Sequence, residues 1–363
     1  HISRTGDQTT MTEPKASRLG ARISFWLFVA FLVAVAGATA GWFLGADLVR
    51  ERIKVIARAS VGSGGSFVTS GITVTGFPFT FDTEIAGVRV TGRTPRGLWE
   101  WRADRVTARI SPWRTGGLTF DLAGSHKLRF RIGRQPLDLD ITVARAPGEF
   151  TEARDGAPRI FKVNTAKLVI REAATGQRID ADSVSVQLFG YARAKTAISE
   201  TSAGLLLELN GVTLPKAADK LLGRKLERFS AEIQVMGDLP LPLERPRLTR
   251  WRDGGGILEI KNLDLAWGPA KLSGSGTMGL DEALQPEASL VARITGHGKT
   301  VDALVAAGVV RESVARGVKL VLDMMARRVG PGAEAVIRLP LSIQNRVIYV
   351  GPARLARLPQ IRW

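Results

Sequence analysis

Apolar and polar side chains alternate with a period of two over much of the chain. Leu118, Phe120 and Leu122 stand against Thr119 and Asp121, and Leu128, Phe130 and Ile132 against Lys127, Arg129 and Arg131. Leu137, Leu139, Ile141 and Val143 then alternate with Asp138, Asp140 and Thr142. Such spacing puts every apolar group on one face of a strand and every charge on the other. The pattern returns at Val184-Val186-Leu188, Leu205-Leu207-Leu209, Leu258-Ile260, Leu263-Leu265, Leu290-Ala292-Ile294, Leu339-Leu341-Ile343 and Ile348-Val350. Glycine and polar clusters at 173–177 and 253–256 punctuate it. These features predict a mainly β, meander-like protein. Its long antiparallel sheet has one dry and one wet face, and is open as a groove, sandwiched or closed.

Two regions depart from the rhythm. Residues 23–46 carry no charge, and Trp26 and Trp42 sit near the two ends. As a helix this stretch spans roughly 36 Å at about 1.5 Å per residue, against a hydrocarbon core of about 30 Å. It predicts an uncleaved, single-pass transmembrane anchor. The competing reading is a cleaved signal peptide, with Lys15, Arg18 and Arg22 as its basic region and Ala38-Thr39-Ala40 as the cleavage site. Arg50, Arg52, Lys54 and Arg58 follow the segment, so charge bias does not orient it. The short N-terminal stretch, in which Met11 reads as the natural start, and the absence of cysteine favour a body in the periplasm on an inner (cytoplasmic) membrane anchor. The expected division is a tail at 1–22, an anchor at 23–46, a helical or flexible linker at 47–65 and a β-rich domain at 66–363. Pro240, Pro242 and Pro246 mark a soft boundary near 240–250.

Helical spacing is strongest from Thr300 to Val329, divided at Gly308 and ended by Gly330-Pro331-Gly332, with Met324 and Met325 read as core packing. A shorter helix is predicted over Lys216 to Leu226.

Candidate chemistry is sparse. Without cysteine, disulfides, iron–sulfur clusters and thiolate zinc sites are excluded. The three histidines are His1, His126 and His297; the latter two stand in Gly-Ser-His-Lys and Gly-His-Gly and read as exposed turn residues with no orienting partner. No nucleophile elbow or phosphate loop occurs, and Asp138/Asp140 and Asp180/Asp182 read as solvated sheet faces. The expectation is a noncatalytic protein with no metal and no cofactor. A hydrolase would require two facing carboxylates in a concave pocket.

Charge changes the picture of the partners. The 363 residues hold 51 Lys+Arg against 34 Asp+Glu, a net charge of +17. Nucleic acid is not expected, because of the membrane segment and because no aromatic stacking platform interleaves the arginines. Anionic lipid headgroups fit better, with Arg129 and Arg131 as candidate contacts; the alternative is that arginine merely solubilises outer strand faces. In Gly76-Phe77-Pro78-Phe79-Thr80-Phe81-Asp82, three phenylalanines fall on one side of an extended segment. Phe77, Phe79 and Phe81, with Leu118, Phe120 and Phe130, are candidate lipid contacts or, alternatively, core residues.

Several short motifs occur in order: residues 23–46 running into Gly41-Trp42, the Gly76-Phe77-Pro78-Phe79-x-Phe81 phrase, and Trp99 and Trp101 before Val106-Thr107-Ala108. Leu263-x-Leu265-x-Trp267-Gly268, Ser273-Gly274-x-Gly276 with Leu280-Asp281, Tyr349-Val350-Gly351-Pro352 and Leu358-Pro359 complete the set. In these features, over most of 40–363, the chain resembles the bacterial envelope family catalogued as domain of unknown function 2125, which implies no activity. The stretch from Leu258 to Gly296 also resembles AsmA-type proteins, inner-membrane-anchored and β-rich. That likeness implies a sheet whose apolar face holds acyl chains. The expected function is binding or shielding lipid in the envelope; the alternative is a scaffolding module that docks an envelope protein.

Overall fold

The computed structural model describes residues 42, 45–47, 51 and 65–363, apart from breaks at 95–96, 112–116, 133–134, 153–157, 192–199, 221, 239–243, 309, 328–333, 352 and 362. The alternating segments become strands of one sheet, and every pairing is antiparallel. The first half comprises β1 (Ser66–Val68), β2 (Gly71–Thr75), β3 (Phe81–Thr94), β4 (Gly97–Ile110), β5 (Gly117–Asp121), β6 (Gly124–Ile132), β7 (Gln135–Arg145), β8 (Pro147–Thr151) and β9 (Arg159–Glu172). The second half comprises β10 (Arg178–Gly190), β11 (Thr201–Thr213), β12 (Lys225–Met236), β13 (Ile257–Trp267), β14 (Ala270–Leu280), β15 (Pro286–Thr295), β16 (Ile337–Gln344), β17 (Val347–Val350) and β18 (Ala353–Arg357).

From β9 onward each strand pairs with its chain neighbour, so the second half is a plain meander. Tight turns permit it: Asn345 and Arg346, both at positive φ, join β16 to β17 as a two-residue loop. In the first half, β4 pairs with β6 at one end and β5 at the other, and β7 and β8 share β9. At about 4.8 Å per strand, the sheet runs about 67 Å from β2 to β18.

The long strands bend along a line across the sheet. Gly87, Lys167 and Gly211 adopt left-handed backbone at φ 57°, 54° and 60° on β3, β9 and β11. Pairing skips one residue at each place: Ala86 and Val88 pair with Arg105 and Ala103, and Ala181 and Ser183 with Leu168 and Ala166. Between them the line passes the breaks from β5 to β6 and from β7 to β8. There the Asp121 carboxylate accepts from the amides of Ala123 (2.8 Å) and Ala146 (3.2 Å). The buried positions change phase across the bend, from Thr83 to Val88 on β3. Each strand thereby keeps its apolar residues on the same side.

His126 is part of this crease. It is buried rather than exposed: its Nε2–H donates to the Leu122 carbonyl at 2.6 Å, and its ring stacks on Trp101 at 5.9 Å. His297 is also buried. It opens α2 (His297–Ala306) and bonds through Nε2 to Asp323 Oδ1 at 2.8 Å on α3 (Glu312–Met325). Glycine neighbours suggested turns for both; the sheet continues through the first and a helix begins at the second.

The helical stretch is thus two helices parted at Gly308 (φ 72°). Met324 and Met325 do not pack in a core; Met324 is 78% exposed. The expected helix over 216–226 shrinks to a 3-10 turn, Lys216–Lys220, because β12 already starts at Lys225 to pair with β11. Another helix, α1 (Arg245–Asp253), follows the proline cluster, and β12 and β13 pair directly across it. Its Trp251 is buried and donates to the Met236 carbonyl at 2.9 Å.

Among the described residues no helix is long and apolar enough to cross a membrane. The predicted span at 23–46 lies almost wholly outside them; Trp42, Gly45 and Ala46 are described and helical.

Candidate functional site

The pairing registers carry one face across the whole sheet. One row runs Thr83, Ala108, Phe120, Gly148, Val163, Val186, Leu207, Ala231, Leu263, Gly274, Ala292, Leu339. A second runs Leu118, Phe150, Phe161, Leu188, Leu205, Ile233, Ile260, Gly276, Leu290, Leu341, Val350. Apart from Thr83, no residue in either row has a polar side chain. A row on the other face reads Asn164, Ser185, Glu208, Ser230, Asp264, Ser273, Arg293, Arg338. It is polar throughout. Where aromatic rings lie across the strands, the partner is glycine: a Cβ on Gly148 would overlap the Phe120 ring, and Phe120 stacks on Phe161 at 5.4 Å.

The apolar face is covered at its ends and open between them. At the β2–β3 end, Trp42 and Ala46 form a buried cluster with Val74, against which Ile72 and Phe81 pack. At the far end α2 and α3 lie against β14 and β16, and there Ile337 is 0% and Ala292 1% exposed. In the middle, from β5 through β11, no large side chain of the two rows is buried; Phe161 is 36% and Leu188 45% exposed. This uncovered run, about 19 Å across from β5 to β11 at the usual strand spacing, is the candidate site.

The sequence-predicted contacts divide among different places. Leu118 and Phe120 lie in the open run. Phe130, opposite Leu137, is half-buried in the part of the sheet beyond the crease. Phe81 packs under Trp42, stacked at 5.7 Å. Phe77 and Phe79 do not share one side of an extended segment. They stand exposed in a tight turn closed by the Thr80 amide donating to the Gly76 carbonyl at 2.9 Å, with Phe77 edge-on to Trp42. The Trp42 Nε1–H also donates to the Thr80 carbonyl at 3.1 Å, so the motif clamps the N-terminal helix.

Arg129 and Arg131 are exposed and alternate with Leu128 and Phe130, so they lie on the face opposite the apolar rows. Arg129 is tied to Asp138 at 2.7 Å and lies 3.9 Å from Glu100, which also receives Arg102 (2.7 Å) and Arg89 (3.4 Å). The hydrogen bond from Arg102 first, then the surrounding guanidinium charges, hold the Glu100 carboxyl below its ordinary range. Of the residues that sequence reasoning did not single out, Leu188, Leu205 and Leu207 stand in the alternating segments and Phe161 outside them. Only the register aligns them.

A concavity of about 650 Å³ lies over β2, β3, β4, β5, β8 and β9 and is lined mainly by polar side chains, including Asp82, Glu84, Asp121 and Glu149. Three of these four carboxylates are engaged: Asp82 with Arg109 (2.5 Å), Glu84 with Arg105 (3.4 Å), Asp121 with two backbone amides. Among the described residues no group of His, Cys, Asp or Glu could hold a metal ion.

The fold and site define a protein built on a single amphipathic antiparallel sheet whose apolar face no described element covers between its ends. The chain belongs to the family described as "Uncharacterized protein conserved in bacteria (DUF2125)", which it matches over residues 42–359. Comparison with curated proteins and with solved structures gives no match, and nothing stands behind the likeness to AsmA-type proteins.

Proposed function

We propose that this protein is a noncatalytic lipid-binding component of the bacterial envelope, held in the inner membrane by the part of residues 23–46 that precedes Trp42, with its sheet in the periplasm. The observation that carries the reading is the continuous apolar row through Val163, Val186 and Leu207, left unburied between two covered ends. A folded sheet gains about 25 cal/mol for each Å² of apolar surface removed from water. Here no protein element among the described residues supplies that cover, and acyl chains would. A contiguous half-exposed apolar surface, with Phe161 and Leu188 exposed in it, suits a binding site better than an ordinary exterior.

Native mass spectrometry and lipid extraction of the full chain, released from membranes in mild detergent, test the proposal. Stoichiometric lipid on the protein is expected. Lipid-free protein carrying a stoichiometric protein partner would favour the scaffolding reading instead.

A further inference from the structure

We propose that α3 is a second membrane contact, a helix that lies on an anionic lipid surface. Val314, Val318, Val321 and Met325 follow one another at three- and four-residue spacing and so share one helix face; all are exposed, as are the flanking Leu320 (63%) and Met324. The helix is fixed with this face outward. On its other side Ala315 is buried, Lys319 Nζ pairs with Asp302 of α2 at 2.8 Å, and Asp323 takes the bond from His297.

Charge selects the occupant. At 3.6 residues per turn, the carboxylates Glu312 and Asp323 lie about 180° from Val321. Arg316 lies on that far side with them, about 140° from Val321, whereas Arg311 and Arg327 stand at the two ends of the helix, all three exposed and without a carboxylate partner among the described residues. An exposed apolar stripe with a cation at each end and the acids turned away matches the boundary between acyl chains and anionic headgroups. The contact stands independently of the open apolar run, because the apolar face of α3 points away from the sheet it covers.

The absence of native cysteine makes the test clean. Full-length Val321→Cys protein carrying a polarity-sensitive fluorophore is reconstituted into vesicles of phosphatidylethanolamine and phosphatidylglycerol. A nitroxide-bearing lipid quencher is placed in the host vesicles or in added vesicles. Strong quenching in either arm is expected, severalfold weaker in phosphatidylcholine and weakened again by Arg311→Glu. A label at Ser289→Cys, on the polar sheet face, stays unquenched. Equal, weak quenching at both sites in all lipids would overturn the proposal. So would a blue shift at position 321 without quenching, which would mean a protein surface covers the helix.

Discussion

Trp42 stacks on Phe81 with ring centroids 5.7 Å apart and planes within 18°, while its indole N–H is bound by the neighbouring Thr80 carbonyl. Gly45 completes the seat, because a Cβ there would come within 2.8 Å of the Phe81 ring. These contacts fasten the helix that leaves the predicted anchor to the first strands of the sheet. Trp42→Ala is expected to cost about 3 kcal/mol of stability. A double-mutant cycle with Phe81→Leu should return a coupling of about 1 kcal/mol. Additive losses in chemical denaturation would mean that the stacking does not contribute.

Gly211 tests the crease. Its φ is +60°, and a Cβ there would overlap the Asp182 carboxylate that pairs with Lys167. Gly211→Ala therefore combines a left-handed penalty of about 1–2 kcal/mol with displacement of that carboxylate. The expected result is a lower denaturation midpoint. Gly176→Ala is the control: it lies in the hairpin turn between β9 and β10 at positive φ with open space around it, and should lose only the backbone part.

The Glu100 cluster sets a pH dependence. Its carboxyl sits below the ordinary value because Arg102, and then Arg89 and Arg129, favour the charged form. A depressed folded-state pKa adds stability that is complete above the unfolded value of about 4.3 and is lost as pH falls through the folded value. Glu100→Gln should cost about 1 kcal/mol at neutral pH. It should also flatten the loss of stability on acidification below about pH 5. An unchanged acid slope, read from denaturation midpoints across the range, would remove Glu100 from the balance.

The alternating strands were legible because one face of each is dry, and a period of two is what that asymmetry writes into a sequence. Leu118 and Phe120 were found in this way. The bend was not legible: Lys167 carries no glycine signal for its left-handed backbone, and the phase change on β3 at Gly87 resembles an ordinary irregularity. His126 misled for a related reason, since Gly124 beside it marks the crease rather than a solvent turn. The exposed face of α3 was misread because helical spacing reports an apolar stripe but not what covers it. Met325 on that stripe and Met324 beside it are both exposed.

Substitutions on the open apolar run should separate lipid binding from folding. Leu188 is nearly half exposed, so Leu188→Asp is expected to shift stability by less than about 1 kcal/mol while reducing co-purified lipid severalfold. Leu248→Asp, at a buried position of α1, gives the contrast: a large loss of stability is expected there. A large loss from Leu188→Asp as well would mean that the row is packed against protein.

Leu207 and Glu208 are chain neighbours on opposite faces of β11. A photocrosslinking amino acid placed at either one, in cells, reports what touches that face. Lipid adducts at position 207 and none at 208 are the expected result. Protein adducts alone at 207, or lipid captured equally at both positions, would contradict an acyl-binding face.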